Sequence, residues 1–223
     1  VGLDDRKKRE KKRLAQLRIN QIQHAAQEVF IDKGFNSATI EDIAKKAELS
    51  PATIYIYFKN KYELYASLNL LTLQYMHTEI ENIYINKGLS IIEKMFGFKD
   101  AMYKTLQYNP ITLRLIFLVQ LHEELPSLNI KIVDKINRLS NKVMSMIANI
   151  YEEGVQKGIF DKGHPMAHAD IIWSLFSGLV LWEGAKKQLN PKKDFLKPTL
   201  DRAFDIFIKG IMKDPQEKTT PSS

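Results

Sequence analysis

The sequence predicts an all-α protein built in two parts. Three observations carry that prediction. Apolar residues recur at helical spacing through most of the chain, with no alternating run long enough for a strand. Pro and Gly are sparse, 8 and 10 in 223 residues, and mostly fall between the periodic segments. Positive charge is gathered at one end: residues 1–18 hold eight Lys/Arg against three acids, and residues 1–61 account for five of the net +7. That asymmetry predicts a polyanionic partner for the N-terminal quarter and different work for the rest. A solvated helix extension is the competing reading of the run RKKREKKR.

At 44% apolar residues the chain has material for a real core. The absence of cysteine excludes disulfides and thiolate chemistry and fits a reducing, cytoplasmic setting. No apolar segment follows the N-terminal charges, so no secretory signal is expected. No run approaches the ~18 apolar residues of a membrane span, so no membrane partner is expected either.

The first helix is predicted from Arg6 to Lys33, with Leu17, Ile22, Ala25, Ala26, Val29 and Phe30 on its buried side and Gly34 as its stop. Phe35 returns to the core. Thr39-Ile40-Glu41-Asp42 reads as a capping box opening a short helix, Ile40 to Ala47, with Ile43, Ala44 and Ala47 inward. Glu48-Leu49 turns the chain. Ser50 as N-cap and Pro51 at the first helical position start a third helix of about two turns. A long helix then runs from Asn60 or Lys61 to Tyr84. Two short helices joined by a tight turn and braced by a longer one form a helix-turn-helix arrangement.

The third helix, SPATIYIYFKNK, carries the functional signal. At about 100° per residue Ile54 and Phe58 share the core side, while Ala52, Thr53 and Ile56 form the opposite strip with Tyr55 and Tyr57 at its rims. Such a helix suits the major groove: small groups allow close approach, Ala52 and Ile56 can meet thymine methyls, and the Thr53 hydroxyl can reach a base edge or phosphate. The rim tyrosines and Lys61 would grip phosphates, as would the N–H groups near Thr39. Each tyrosine alone could equally cap the small core with its hydroxyl in water. The combination with the capped helices and basic run favours double-stranded DNA.

From Ile22 to Leu68 the sequence resembles the DNA-binding domain of the TetR family of bacterial transcriptional regulators. The residues that carry the resemblance are Ala25-Ala26, Phe30, Gly34-Phe35, Thr39 to Ala44, Ala47, Ser50 to Lys61, and Glu63-Leu64. The resemblance implies DNA contacts at Thr39, Ser50, Ala52, Thr53, Tyr55, Ile56, Tyr57 and Lys61. Ile56 stands where several relatives place a polar or bulky base reader, so phosphate grip and DNA shape are expected to supply much of the selectivity. It also implies a variable helical second domain that binds a small-molecule effector and forms a homodimer. The expected organisation is residues 1–61 as basic extension and helix-turn-helix domain, 62–213 as ligand-binding and dimerisation domain linked by helix 61–84, and 214–223 as a disordered tail.

In that second part, Pro110 opens an apolar helix ending near Pro126, and a long helix from about Ser127 to Lys157 carries Ile132, Ile136, Leu139, Val143, Met146 and Ile150 on one face. The segment from Pro165 to about Gln188 is apolar nearly all round, with Ser174, Ser177, Gly178, Leu181 and Ala185 as a small-residue stripe. A helix without a polar face must be buried on both sides. The last helix, Lys192 to Lys213, carries Leu196, Leu200, Ala203, Phe204, Phe207 and Ile211. These two helices in duplicate would give a two-fold four-helix interface, the alternative being packing within one monomer. Met95, Met102, Tyr103, Leu106, Phe117, Leu121, Met144, Trp173 and Phe176 are candidate lining residues for an adaptable apolar pocket, each of which could equally be ordinary core. The expected effector is apolar or acyl-chain-like.

No cofactor, metal or catalytic constellation is predicted. His164 and His168 lie four apart, but His164 precedes Pro165 and reads as a cap, with no further ligands evident. The expected function is a ligand-responsive regulator, a repressor released from a palindromic operator. A carrier that keeps this fold without operator specificity and a sequence-independent DNA binder are the alternatives.

Overall fold

The computed structural model describes residues 2–110, 130–190 and 194–213. Among these residues the chain forms eight helices: α1 (Leu3–Lys33), α2 (Ile40–Lys46), α3 (Pro51–Tyr57), α4 (Lys61–Ile85), α5 (Ile91–Tyr108), α6 (Ile130–Gln156), α7 (Pro165–Leu189) and α8 (Leu196–Ile211). The one β feature among them is an isolated bridge between Phe160 and Met212. No described helix is long and apolar enough to cross a membrane. The helix expected after Pro110 and the tail after Lys213 lie outside the described residues. Two compact units divide between Leu71 and Thr72, inside α4, and again between Lys135 and Ile136, inside α6.

In the first unit each short helix begins and ends for a chemical reason. The Gly34 N–H bonds Phe30 O, and its backbone (φ 76, ψ 158) occupies a region that only glycine enters freely. Thr39 Oγ1 accepts from the Asp42 N–H at 3.1 Å while Asp42 Oδ2 accepts from the Thr39 N–H at 3.2 Å, closing the expected capping box. Glu48 turns the chain with φ 54, letting the Leu49 N–H reach Ala44 O. Ser50 Oγ then accepts from the Thr53 N–H at 3.2 Å to start α3. Ile22, Ala26, Phe30, Phe35, Ile43, Ile54, Phe58, Leu64 and Tyr65 form the shared core. Leu17, expected inside, is 52% exposed, because α1 runs on past the edge of this core and packing begins only at Ile19.

The second unit contains α5, which the sequence reading did not place. Its start is a second capping box, Ser90 with Glu93. Met95, Phe98, Met102 and Leu106 are buried along it. α5 and α7 both pack against α8, and the Lys99 ammonium, buried in α5, pairs with Asp201 of α8. After α6, Phe160 folds back over Gly154 and stacks on Tyr151 at 5.7 Å, and the Lys213 N–H bonds Ile159 O. His164 caps α7, its Nδ1 accepting from the Ala167 N–H.

Candidate nucleic-acid interface

α3 is fixed from below by Ile54 and Phe58, 0% and 5% exposed. That leaves Ala52, Tyr55 and Ile56 outward, with Ile56 76% exposed. Thr53 is half-buried, and its Oγ1 lies 2.9 Å from Ser50 Oγ. One of the two hydroxyls donates to the other, and whichever donates keeps only acceptor capacity, which can serve a base amino group but not a phosphate oxygen. The tyrosines part company. Tyr55 projects into solvent, whereas Tyr57 is half-buried, packs against the unit's core and walls a groove of about 710 Å³ with Lys7, Lys11, Leu14 and Arg18 of α1.

Two expected phosphate contacts meet structural competition. The Lys61 ammonium donates to the carbonyls of Phe35 (2.7 Å), Ala38 (2.9 Å) and Asn36 (3.1 Å) and sits 4.7 Å above the centre of the Phe35 ring. An ammonium has three donors, and all are engaged. Lys61 therefore ties down the connection between α1 and α2, and a phosphate would have to compete with these three carbonyls for its donors. At Thr39 the capping box uses the N–H groups of Thr39 and Asp42 and places a carboxylate at the start of α2. The Lys33 ammonium at 2.5 Å, with help from Thr39, holds that carboxyl below the usual carboxylate range.

The second unit bears on the remaining expectations. Met95, Met102, Leu106 and Phe176 are fully or almost fully buried, and Tyr103, Met144 and Trp173 are half-buried; Phe117 and Leu121 lie outside the described residues. A separate groove of about 440 Å³, between α4 and α6, is lined by His77, Glu81, Tyr84, Asn141, Ser145 and Asn149 together with Ile85 and Met146 among others. The four-residue spacings of His77 with Glu81 and of Asn141, Ser145 and Asn149 were its signal in the sequence.

Along α7, Ile171, Ser174, Gly178, Leu181, Trp182 and Ala185 form an exposed stripe, with Trp182 63% exposed. A Cβ added at Gly178 would meet nothing within 4 Å in this chain. Ser177 is buried and its hydroxyl donates to Trp173 O. Leu200, Phe204 and Ile211, expected to face a partner, are buried inside their own protomer, and Phe207 is half-buried with its ring near His168. Leu200, Phe204 and Ile211 thus belong to the unit's core. Ile206, 59% exposed, is the large apolar residue that α8 turns outward.

A capped helix-turn-helix with an outward-facing α3, joined to a helical second unit, defines a DNA-binding transcriptional regulator. The chain belongs to the TetR family of bacterial regulatory proteins: that family's N-terminal model matches residues 22–68, and the model of the QacR-like C-terminal region matches residues 118–213. It is 26% identical to the fatty acid metabolism regulator protein of Bacillus subtilis, over 86% of this chain and 94% of that one. It is 23% identical to the QacR regulator of Staphylococcus aureus, over 87% and 98% of the two chains. The crystal structure of the Bacillus subtilis regulator FadR in complex with stearoyl-CoA shares the fold, with a TM-score of 0.65 at 24% identity over 86% of this chain and 98% of that one.

Proposed function

We propose that the protein binds a palindromic operator as a homodimer and represses transcription in the cytoplasm until an acyl-chain ligand releases it. The observation that carries this reading is the outer strip of α3. Ala52, Tyr55 and Ile56 are held away from a core that Ile54 and Phe58 anchor, and a surface isoleucine at 76% exposure has no work inside the protomer. In a major groove it would meet thymine methyls, with Thr53, Ser50 and the two tyrosines supplying polar contacts. The exposed α7 stripe, open at Gly178, supports a two-fold partner that would set two such helices about 34–36 Å apart.

The ligand class rests on the buried methionines and Phe176 of the second unit and on the similarity to a fatty acid metabolism regulator. α4 contributes to both units, so a ligand that favours a different tilt of α4 would change half-site spacing by its differential affinity for the two states. The test is to let the purified protein select genomic fragments, then challenge the complex with stearoyl-CoA and with coenzyme A alone. An enriched palindrome, released by the acyl thioester and not by coenzyme A, is the expected result. Fragments without two-fold symmetry would refute the dimeric operator, and retention in the presence of the acyl compound would refute the ligand class.

A further inference from the structure

The matched family region begins at Ile22, yet α1 begins at Leu3. The preceding nineteen residues continue the helix for roughly 28 Å. Residues 4–14 are all exposed. Placed at about 100° per residue, Lys7, Lys11, Leu14 and Arg18 fall in one narrow sector, the sector that holds Ile22, Ala25 and Val29 where α1 enters the core. This basic face therefore lies on the side of α1 that carries α2 and α3, and it forms the groove whose other wall is Tyr57 of the recognition helix. Glu10 also lines the groove, but Arg13 pairs with it at 2.7 Å and holds it below the usual carboxylate range.

Charge supplies the second argument. Residues 19–61, which hold the helix-turn-helix itself, contain five basic and five acidic residues. Of the five cations, Lys33 pairs with Asp42, Lys46 pairs with Glu28, and Lys61 is engaged by backbone carbonyls. A neutral helix-turn-helix releases few counterions from a duplex, whereas salt-dependent affinity comes from cations laid on phosphates. The extension supplies them. It also places like charges four apart at Lys7 and Lys11, at Lys8 and Lys12, and at Arg9 and Arg13, which opposes helix formation until an anionic surface relieves it.

We propose that the N-terminal half of α1 is a second DNA-binding surface, in which Lys7, Lys11 and Arg18 grip the phosphates of the duplex beside the site that α3 enters. This rests on the DNA-binding reading above and adds the source of its affinity. Lys7 to Arg18 spans about 17 Å of helix axis, a reach of about five base pairs at ~3.4 Å each. The occupant is a duplex backbone, because the face is basic and shares a wall with the recognition helix.

The test compares full-length wild type, the triple variant Lys7→Ala/Lys11→Ala/Arg18→Ala, and a control on the other side of the helix, Arg6→Ala/Arg9→Ala. The probes are a genomic duplex selected by the protein, trimmed to its palindrome or carrying about ten flanking base pairs on each side. Three lost phosphate contacts per protomer lower the slope of log K against log salt by about 2.7 per protomer, at ~0.9 each. The expected result is that loss on the flanked duplex, little change on the trimmed one, and much less change in the control. Lys7→Arg/Lys11→Arg should keep the wild-type slope. An unchanged slope in the triple variant, or an equal fall in the control, overturns the proposal. So does a lower association state on changing Leu14→Ala/Leu17→Ala, since a second copy would then cover this face. Failure of the wild type to retard any duplex would refute the DNA-binding reading itself, a separate and recognisable outcome.

Discussion

Replacing Lys61 with methionine separates the phosphate contact expected from the sequence from the structural role its geometry shows. Methionine keeps the unbranched stem, so packing over Phe35 changes little, while the ammonium is lost. Three bonds of 2.7–3.1 Å to Phe35, Asn36 and Ala38 disappear, along with a cation 4.7 Å from the Phe35 ring centre. Hydrogen bonds to a charged group contribute up to about 1.5–3 kcal/mol each when buried. Lys61 is half-buried and water can replace part of what is lost, so a total near 2–3 kcal/mol is the working figure, including about 0.5–1 kcal/mol for the ring contact. With a urea slope of about 2–3 kcal/mol/M the midpoint should fall by roughly 1 M, followed by far-ultraviolet circular dichroism. The salt slope of DNA binding should stay at its wild-type value under conditions where the variant is folded. A stability within about 0.5 kcal/mol of wild type, with a salt slope lowered by ~0.9, would refute the structural role and return Lys61 to a phosphate.

Ile54→Ala should cost about 2–5 kcal/mol in urea unfolding, because its side chain is fully buried, whereas Ile56→Ala should leave stability within ~0.5 kcal/mol and change base preference in competition assays. Gly154→Ala would set a Cβ 2.2 Å from Phe160 Cδ2 and 2.5 Å from Cε2, in a helix where the ring cannot retreat past Tyr151; overpacking of about 1–3 kcal/mol or more should lower the melting temperature by several degrees, and an unchanged melting point would contradict the packing. Asp42, its pKa lowered by Lys33 and Thr39, stabilises the fold above the unfolded carboxyl pKa of about 3.9, and that contribution is lost as pH falls through the lower folded value. The stability gap between wild type and Asp42→Ala should therefore narrow in acid, and a gap of constant size down to about pH 2 would count against the pairing. Gly178→Arg should give monomers by sedimentation with an unchanged thermal midpoint for the isolated protomer, since nothing in the chain lies within 4 Å of the new Cβ; a stable dimer would move the partner surface elsewhere.

What could be read in advance was written in local chemistry. Thr39 with Asp42, and Ser50 before Pro51, are short-range signals, and α2 and α3 begin where those residues place them. Ser90 with Glu93 is the same kind of signal, and it opens α5; the buried Lys94 and Lys99 blur that helix's apolar stripe. Long-range partners were not legible. A lysine after a turn reads as charge, and nothing near Lys61 in the sequence announces the carbonyls of Phe35, Asn36 and Ala38 that surround it. α8 offers one strong apolar stripe, which could serve a protomer core or a partner; the structure gives Leu200, Phe204 and Ile211 to the core. Leu17 belonged to a periodic stripe whose helix outlasts the domain it packs on.

On the proposed reading, the first unit divides base reading from phosphate gripping between two helices. The outer strip of α3 holds an alanine, an isoleucine and a hydroxyl already paired with its neighbour, uncharged groups that would neutralise no phosphate. The cations proposed to grip the duplex, Lys7, Lys11 and Arg18, stand on α1 instead. On the proposed arrangement the two properties vary independently. Changes at Ala52, Thr53 or Ile56 should alter the ratio of specific to non-specific affinity at a constant salt slope, because they leave the number of released counterions untouched. Changes at Lys7, Lys11 or Arg18 should lower both affinities together and leave their ratio where it was. A protein whose α1 variants lost base preference, or whose α3 variants lost salt dependence, would have its reader and its grip on the same helix, and this division of labour would be wrong.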